Sequence, residues 1–251
     1  MNRQSLTRLK SLVDDAQRIV ALTGAGISTS AGIPDFRSPG TGLWNMMDDM
    51  EAFTSSGFVR RPEKLYQLVQ KLAPSMERIQ PTKAHLWLAD LERKGRLLGT
   101  VTQNVDGLHQ MAGCLQVVEL HGTFRTATCL QCREERDMQG LMEQMHGFLD
   151  EVPTCELCGG LFKPNVILFG DLLPPESYRT ACQWARGCDL FLVLGSSLLV
   201  SPANGLPLMA MGSDADLCIV NLEPTPLDRS ASVVLHERID DVVEALKKIK
   251  P

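Results

Sequence analysis

Residues Ile19-Val20-Ala21-Leu22-Thr23-Gly24-Ala25-Gly26-Ile27-Ser28 decide the fold class. Ile19 to Leu22 is an unbroken apolar run, so the strand it predicts is covered on both faces, as in a parallel sheet between helix layers. Glycines at 24 and 26 end that strand in a turn whose backbone a pyrophosphate can approach, and a helix start just beyond offers free N–H groups. The third glycine of a dinucleotide fingerprint is missing, as is an acid at the end of a second strand ~20 residues on. By itself the stretch also reads as an ordinary tight turn. It continues as Thr29-Ser30-Ala31-Gly32-Ile33-Pro34-Asp35-Phe36-Arg37-Ser38-Pro39-Gly40-Thr41-Gly42-Leu43-Trp44. Pro34 disfavours the α region for Ile33, so any helix here is about one turn long. The loop that follows, with Phe36 between Asp35 and Arg37, can close over a ligand and exclude water.

Outward from this stretch, short apolar runs predict further strands at Leu97 to Val101, Val117 to Leu120, Val166 to Phe169, Leu190 to Leu194 and Leu217 to Val220. Helical segments separate several of them. Ser5 to Gln17 places Leu6, Leu9, Leu12, Val13 and Ala16 on one face. Pro81-Thr82 opens a helix that stops at Gly95, and Glu176 to Arg186 stops at Gly187. A last helix begins with Asp240-Asp241 and ends with Lys247-Lys248, matching the helix dipole. The alternation predicts an α/β protein with a Rossmann-like, doubly wound parallel sheet. Pro34 to Gln80 and Gly122 to Phe162 break the rhythm and read as insertions that together build a smaller unit.

The bulk numbers exclude several functions. A net charge of -5 lacks the broad attraction for phosphate backbones, and 5% aromatics leaves little for base stacking, so no direct nucleic-acid binding is expected. No apolar run approaches ~18 residues and Met1 to Lys10 is polar, which predicts no membrane span, no secretory signal and a cytoplasmic location. In that compartment eight cysteines suggest metal or redox chemistry before disulfides. Cys129-Leu130-Gln131-Cys132 and Cys155-Glu156-Leu157-Cys158 are two C-x-x-C pairs, suited to a tetrahedral zinc ion held by two knuckles. A small helix fits between them, with Met138, Met142 and Met145 as its apolar stripe. The alternative is a pair of redox dithiols, but neither pair opens a helix in a βαβ context. Four thiolates leave no open coordination position, so the zinc is expected to be structural and a zinc hydrolase is disfavoured. Cys114, Cys182, Cys188 and Cys218 read as small core residues.

Further polar blocks sit at predicted strand ends, where open α/β sheets place ligands. Gln103, Asn104 and Asp106 follow one strand, although taken alone the block reads first as a helix start with Asn104 as its N-cap. Glu119-Leu120-His121-Gly122 ends the next, and Lys163-Pro164-Asn165-Val166-Ile167-Leu168-Phe169-Gly170-Asp171 follows the cysteine pairs. Gly195-Ser196-Ser197-Leu198-Leu199-Val200-Ser201-Pro202-Ala203 and Val220-Asn221-Leu222-Glu223 close two more strands.

In this order the blocks closely resemble those of the sirtuin family, across nearly the whole chain, with Trp44 where a tyrosine is common. The resemblance implies an NAD-dependent protein lysine deacetylase, with NAD as a consumed co-substrate and a structural zinc at Cys129, Cys132, Cys155 and Cys158. It implies NAD contacts from Gly24, Ala25, Gly26, Ser28, Asp35, Phe36, Arg37, Gln103, Asn104, Asp106, Gly195, Ser196, Ser197, Asn221, Leu222, Glu223 and Ile239. Glu237, where the family often has glycine, makes the contact near Ile239 less secure. Substrate contacts fall on Val166, Leu168, Phe169 and Gly170, and on Leu198, Leu199 and Val200, with an acetyl-lysine protein or peptide added as a strand between the two segments. His121 is the implied general base and Asn104 the second catalytic residue; His85, His109, His146 and His236 are assigned no role. The expected division is 1–35, 81–121 and 163–251 for the NAD-binding unit, 36–80 for the cofactor loop and helical insert, and 122–162 for the zinc insert.

The implied reaction begins with attack of the acetyl oxygen on NAD and departure of nicotinamide. His121 then takes a proton from the ribose hydroxyls, and the products are lysine, nicotinamide and O-acetyl-ADP-ribose. Sirtuins that prefer succinyl groups carry a Tyr-x-x-Arg pair, which is absent between Trp44 and Leu72, so a neutral acyl group is expected. The alternative is a mono-ADP-ribosyltransferase using the same NAD site. An NAD-dependent oxidoreductase is suggested by fold alone, and an idle NAD-binding scaffold is opposed by an intact Asn104 and His121.

Overall fold

The computed structural model describes residues 2–34, 50–76, 79–145 and 152–249. Helix α1 (Arg3–Asp15) is capped by Asn2, whose side chain accepts the Gln4 N–H. At its other end the Arg96 guanidinium donates to the carbonyls of Val13, Asp14 and Ala16, satisfying groups that a helix terminus leaves open. Strand β1 (Ile19–Thr23) leads into two single-turn helices, Ala25–Ile27 and Thr29–Ala31, the brevity that Pro34 imposes. The chain continues through α2 (Ser55–Arg60), α3 (Pro62–Met76), α4 (Lys83–Arg93), β2 (Leu97–Thr102), α5 (Leu108–Met111) and β3 (Val117–Glu119). Then come β4 (Gly122–Cys129), β5 (Glu135–Asp137), α6 (Met138–Gln144) and β6 (Phe162–Val166). The last part holds α7 (Pro175–Gly187), β7 (Leu190–Leu194), α8 (Leu206–Met211), β8 (Asp216–Val220), β9 (Val233–Leu235) and α9 (Ile239–Lys248).

The main sheet has the order β3-β2-β1-β7-β8-β9, and every neighbouring pair is parallel. Side-chain alternation along the strands divides its apolar residues between two cores. Ile19, Ala21, Leu190, Leu192, Leu194, Cys218 and Val220 pack with α1, α4 and α9. Val20, Leu22, Phe191, Val193, Leu217 and Ile219 pack with α7 and α8. Helices therefore cover both faces, which is why these strands read as unbroken apolar runs. Strand order reverses between β1 and β7, and a doubly wound sheet opens its ligand crevice beyond the carboxyl ends of the strands at that point.

Two expectations need correction. Val166 to Phe169 is not a strand of the parallel sheet. Phe162–Val166 instead pairs antiparallel with β4 in a second, three-stranded sheet of order β5-β4-β6. The run is apolar because Val166 and Leu168 enter a third core, with Phe58, Leu65, Tyr66, Ala127, Met138, Leu141, Met145 and Phe162. Pro164 suits β6 because that strand lies at an edge. The sixth strand of the main sheet is β9, three residues long and missing from the sequence reading. Its Val233 and Leu235 join the first core.

Candidate active site

The Gly-rich turn leaves β1 and crosses over the turn that leaves β7. Gly24 N–H donates to the Leu194 carbonyl at 3.1 Å, and Gly26 N–H to the Gly195 carbonyl at 3.0 Å. A Cβ at Gly24 would lie 2.7 Å from the Gly195 oxygen, and one at Gly26 2.7 Å from Gly195 Cα. Gly195 has φ +69°, and a Cβ there would lie 2.5 Å from the Ile27 nitrogen. The glycines are thus required first by two backbones crossing over the switch point.

On that crossing rests a closed polar cluster. Asn104 Nδ2 donates to the Gly24 carbonyl at 3.2 Å and to Ser28 Oγ at 3.1 Å. Ser28 Oγ donates to Asp106 Oδ2 at 2.7 Å, and Asp106 Oδ1 accepts the Leu108 N–H at 3.0 Å. Helix α5 is entered through Gly107, so Asn104 is not its cap. Gln103 N–H donates to the Thr23 carbonyl at 2.9 Å, and its side-chain oxygen accepts from Ser196 Oγ at 2.7 Å. Groups from β1, β2 and β7 meet within this cluster.

His121 lies just beyond β3, half-buried, with Nδ1 3.0 Å from the Gln103 carbonyl. A carbonyl only accepts, so the proton sits on Nδ1 and Nε2 carries the lone pair. Burial lowers the His121 pKa from its ordinary value, and the bond to Gln103 partly opposes that shift. The imidazole is therefore neutral near pH 7, with a basic nitrogen facing away from its backbone anchor. The carbonyl of His121 accepts the Ile167 N–H at 2.9 Å, tying the base to the segment after β6.

The second centre is local. The sulfurs of Cys129, Cys132, Cys155 and Cys158 lie within 4.8 Å of one another. Their closest approaches cross between the knuckles, 3.5 Å for Cys129–Cys158 and 3.6 Å for Cys132–Cys155. These are far from the ~2.05 Å of a disulfide and near the ~3.8 Å edge of a tetrahedron with Zn–S bonds of ~2.3 Å. Gly160 N–H donates to Cys158 Sγ at 3.4 Å. The four cysteines fit a structural zinc with a closed coordination sphere.

A sequence model of the Sir2 family matches residues 24–202. The chain is 44% identical to NAD-dependent protein deacetylase 1 of Geobacillus kaustophilus, covering 94% of this chain and 96% of that protein. The chain belongs to the Sir2 family. NAD-dependent protein deacylase 2 of Archaeoglobus fulgidus is 37% identical over 98% of this chain and 97% of its own. Among solved structures, a Sir2–p53 peptide–NAD+ complex superposes with a TM-score of 0.87 at 36% identity, covering 97% of this chain and 96% of that one. A Sir2 variant with deacetylated p53 peptide and 3'-O-acetyl ADP-ribose reaches 0.88 at 36% identity, covering 96% of each chain.

The other residues that the sequence resemblance assigns to the site fall into several groups. Asp35, Phe36 and Arg37 lie outside the described residues. Ala25 is half-buried in the first single-turn helix, and Ser197 follows Ser196 out of β7. Phe169 is 56% exposed and Leu199 61%, so both present apolar surface to solvent, with Gly170 and Val200 beside them in the chain. Val166 and Leu168 are buried in the third core and Leu198 in the second. Leu198 holds φ +55°, unusual for a branched side chain in an ordered turn. Asn221 follows β8, its side chain donating to the Glu223 carbonyl at 2.7 Å, with Leu222 exposed between them. Ile239 opens α9 with its side chain in the first core, leaving its backbone as the part able to reach a ligand. Sequence reasoning missed Thr23, Thr102, Thr82 and the buried pair His85 and His109, all beneath the crossing. A lone polar residue inside an apolar element carries no signal of its partners.

Proposed function

We propose that this protein removes acetyl groups from lysine side chains of proteins, consuming NAD and releasing nicotinamide and O-acetyl-ADP-ribose. The observation that carries the reading is His121: a neutral imidazole pinned through Nδ1, its Nε2 lone pair free, beside the Asn104–Ser28–Asp106 cluster at the switch point. Bound NAD supplies an anomeric carbon with a cationic nicotinamide as leaving group.

The chain's own residues then have defined tasks. The turn at Gly24 to Ser28 and the Gly195-Ser196-Ser197 turn hold the nucleotide at the β1/β7 crevice. Asn104 and Asp106, locked by Ser28, orient its ribose and nicotinamide. Asn221, Leu222 and Glu223 meet the adenosine end beyond β8, with Ile239 near it. Exposed Phe169 and Leu199 flank the acyl-lysine, and the peptide backbone lies between their segments. His121 Nε2 accepts a proton from a ribose hydroxyl, a task suited to a histidine neutral at working pH. Cys129, Cys132, Cys155 and Cys158 would hold a zinc ion that braces the three-stranded sheet and, with its coordination closed, would take no part in the chemistry. The units 1–35 with 81–121 and 163–251, 36–80, and 122–162 form the nucleotide, loop-and-helix and zinc parts, except that Lys163 to Val166 runs in β6 of the zinc part's sheet, and the protein acts in the cytoplasm.

A neutral acyl group is the substrate. Tyr66 is fully buried with its hydroxyl on the Phe162 carbonyl at 3.0 Å, and Arg60 and Arg61 both pair with Glu51. These residues are engaged elsewhere than in reading an acyl carboxylate.

The test is nicotinamide release from NAD with and without an acetyl-lysine peptide, products identified by mass. Peptide-dependent release with O-acetyl-ADP-ribose is expected. ADP-ribose on protein without acyl loss would establish the transferase reading instead, and faster turnover of succinyl-lysine would overturn the acyl choice.

A further inference from the structure

Beneath the Gly-rich turn, His85 on α4 and His109 on α5 face each other with ring centroids 4.6 Å apart. Both are buried, at 0% and 1% exposure. Each spends one ring nitrogen on a threonine. Thr82 N–H donates to His85 Nδ1 at 3.3 Å, with Thr82 Oγ1 2.7 Å from the same atom. Nδ1 therefore holds the lone pair, and the His85 proton sits on Nε2. On the other ring, the Thr23 hydroxyl donates to Thr102 Oγ1 at 2.9 Å, so toward His109 it accepts. His109 Nε2, 2.9 Å from Thr23 Oγ1, carries the proton, and Nδ1 is left as a bare acceptor. The two remaining atoms, a donor on His85 and an acceptor on His109, are both buried and have no other partner among the described residues.

Burial keeps both rings neutral, holding His85 down at about 4 and His109 well below the ordinary histidine value. Apolar side chains would fill this space without leaving polar atoms behind, so filling space does not account for two imidazoles. What the pair connects does. From His109 the hydrogen bonds run through Thr23 and Thr102 to the Asn104 N–H, 3.0 Å from Thr102 Oγ1. The Asn104 side chain grips Gly24 and Ser28. From His85 they run to Thr82, whose single hydroxyl proton is shared between His85 Nδ1 and, at 3.2 Å, the Ile27 carbonyl at the end of the same turn.

We propose that His85 and His109 form a tautomer-matched pair of positioning residues that fixes Asn104 and the 24–28 turn from below for the NAD-consuming step. This rests on the reading of Asn104 given above. The rings make no direct hydrogen bond, so one buried water joins the His85 donor to the His109 acceptor, and the His109 tautomer fixes Thr23 as a donor to Thr102 Oγ1, which also accepts the Asn104 N–H.

The experiment uses the full zinc-loaded chain and measures kcat, KM for NAD and for an acetyl-lysine peptide, and the thermal midpoint. His109→Leu and Thr23→Val should each lower kcat roughly tenfold, the loss expected from a misplaced reacting geometry, with smaller changes in either KM. His109→Gln, whose amide can donate where Nε2–H did, and Thr23→Ser should stay within about threefold of the parent. The double variant His109→Leu/Thr23→Val should be no slower than the worse single one, because both cut the same chain. Unchanged kcat in the two cutting variants, equal losses in His109→Gln and His109→Leu, or losses that multiply in the double variant would each overturn the proposal. If His109→Leu does not fold, Thr23→Val against Thr23→Ser decides. Asn104→Ala separates the two levels: if it leaves kcat unchanged, the reading of the site itself falls, and this inference with it.

Discussion

The four-cysteine cluster and the nucleotide pocket solve the problem of site construction in opposite ways. The cluster draws its ligands from two short knuckles, Cys129–Cys132 and Cys155–Cys158, each complete in four residues, and four thiolates close its coordination sphere. The pocket draws on the ends of β1, β2, β3, β7 and β8, and its Asn104–Ser28 and Ser196–Gln103 bonds join residues 76 and 93 positions apart. A closed local centre stabilises and does no chemistry. An open centre assembled across a sheet does the chemistry and depends on the sheet for its shape. Damage to the first should therefore cost fold before activity, and damage to the second activity before fold.

The largest effect should come from the metal. Structural zinc contributes on the order of 10 kcal/mol in small metal-dependent units. Cys155→Ser or exhaustive chelation should therefore unfold the three-stranded sheet, read by zinc content and a separate low-temperature unfolding step. A metal-free variant with unchanged unfolding and full activity would break the comparison from the cluster's side. On the pocket's side, His121→Ala should cost about 10²- to 10⁴-fold in kcat, the usual worth of a general base. Its thermal midpoint and zinc content should be unchanged, and near-normal turnover would remove His121 from the mechanism.

Next comes a link between the pocket's floor and stability. His85 is held down at about 4 by burial, against 6.5 in the unfolded chain. Above about pH 7 both states are neutral and nothing is lost. As pH falls from 6.5 toward 4 the unfolded chain takes the proton first, so about 3 kcal/mol of stability disappears over that window. Denaturant unfolding at pH 7 and pH 4.5 should show a steeper loss for the parent than for His85→Gln; parallel losses would reject the linkage. Gly195→Ala sharpens the contrast further. It forces a Cβ to 2.5 Å from the Ile27 nitrogen at φ +69°, and should cost about 2 kcal/mol and weaken NAD binding while leaving zinc bound. An unaltered KM for NAD would show that the backbone crossing does not shape the pocket. The smallest effect is the acid limb of turnover. Because burial lowers the His121 pKa, activity should rise with pH through a value below 6.5 and be flat at neutrality; a limb still rising above pH 7.5 would contradict a neutral base.

Much of the sheet was legible because its strands are covered on both faces, and unbroken apolar runs report that directly. The run at Val166 to Phe169 misled for the same reason: apolarity records burial but not which core does the burying, and Val166 and Leu168 enter the third. Strand β9 was too short to register. At the site, the polar blocks were visible as motifs at strand ends, and their order carried the family resemblance. The buried layer below them was not visible. Thr23 and Thr102 look like ordinary strand residues, and His109 sits in a helix of four residues.

The sequence by itself determined the α/β class, the zinc knuckles, the set of strand-end motifs and their assignment to one family, because each of these is written in local spacing or local chemistry. Only the tertiary structure decided that the Gly24 and Gly195 turns cross, that the His121 proton sits on Nδ1, and that His85 and His109 meet beneath Asn104. Those facts depend on contacts such as Thr23 to His109, made across 86 residues of chain. A hydrogen bond's direction follows from what stands opposite it, and parallel strand order rather than sequence distance chooses that partner.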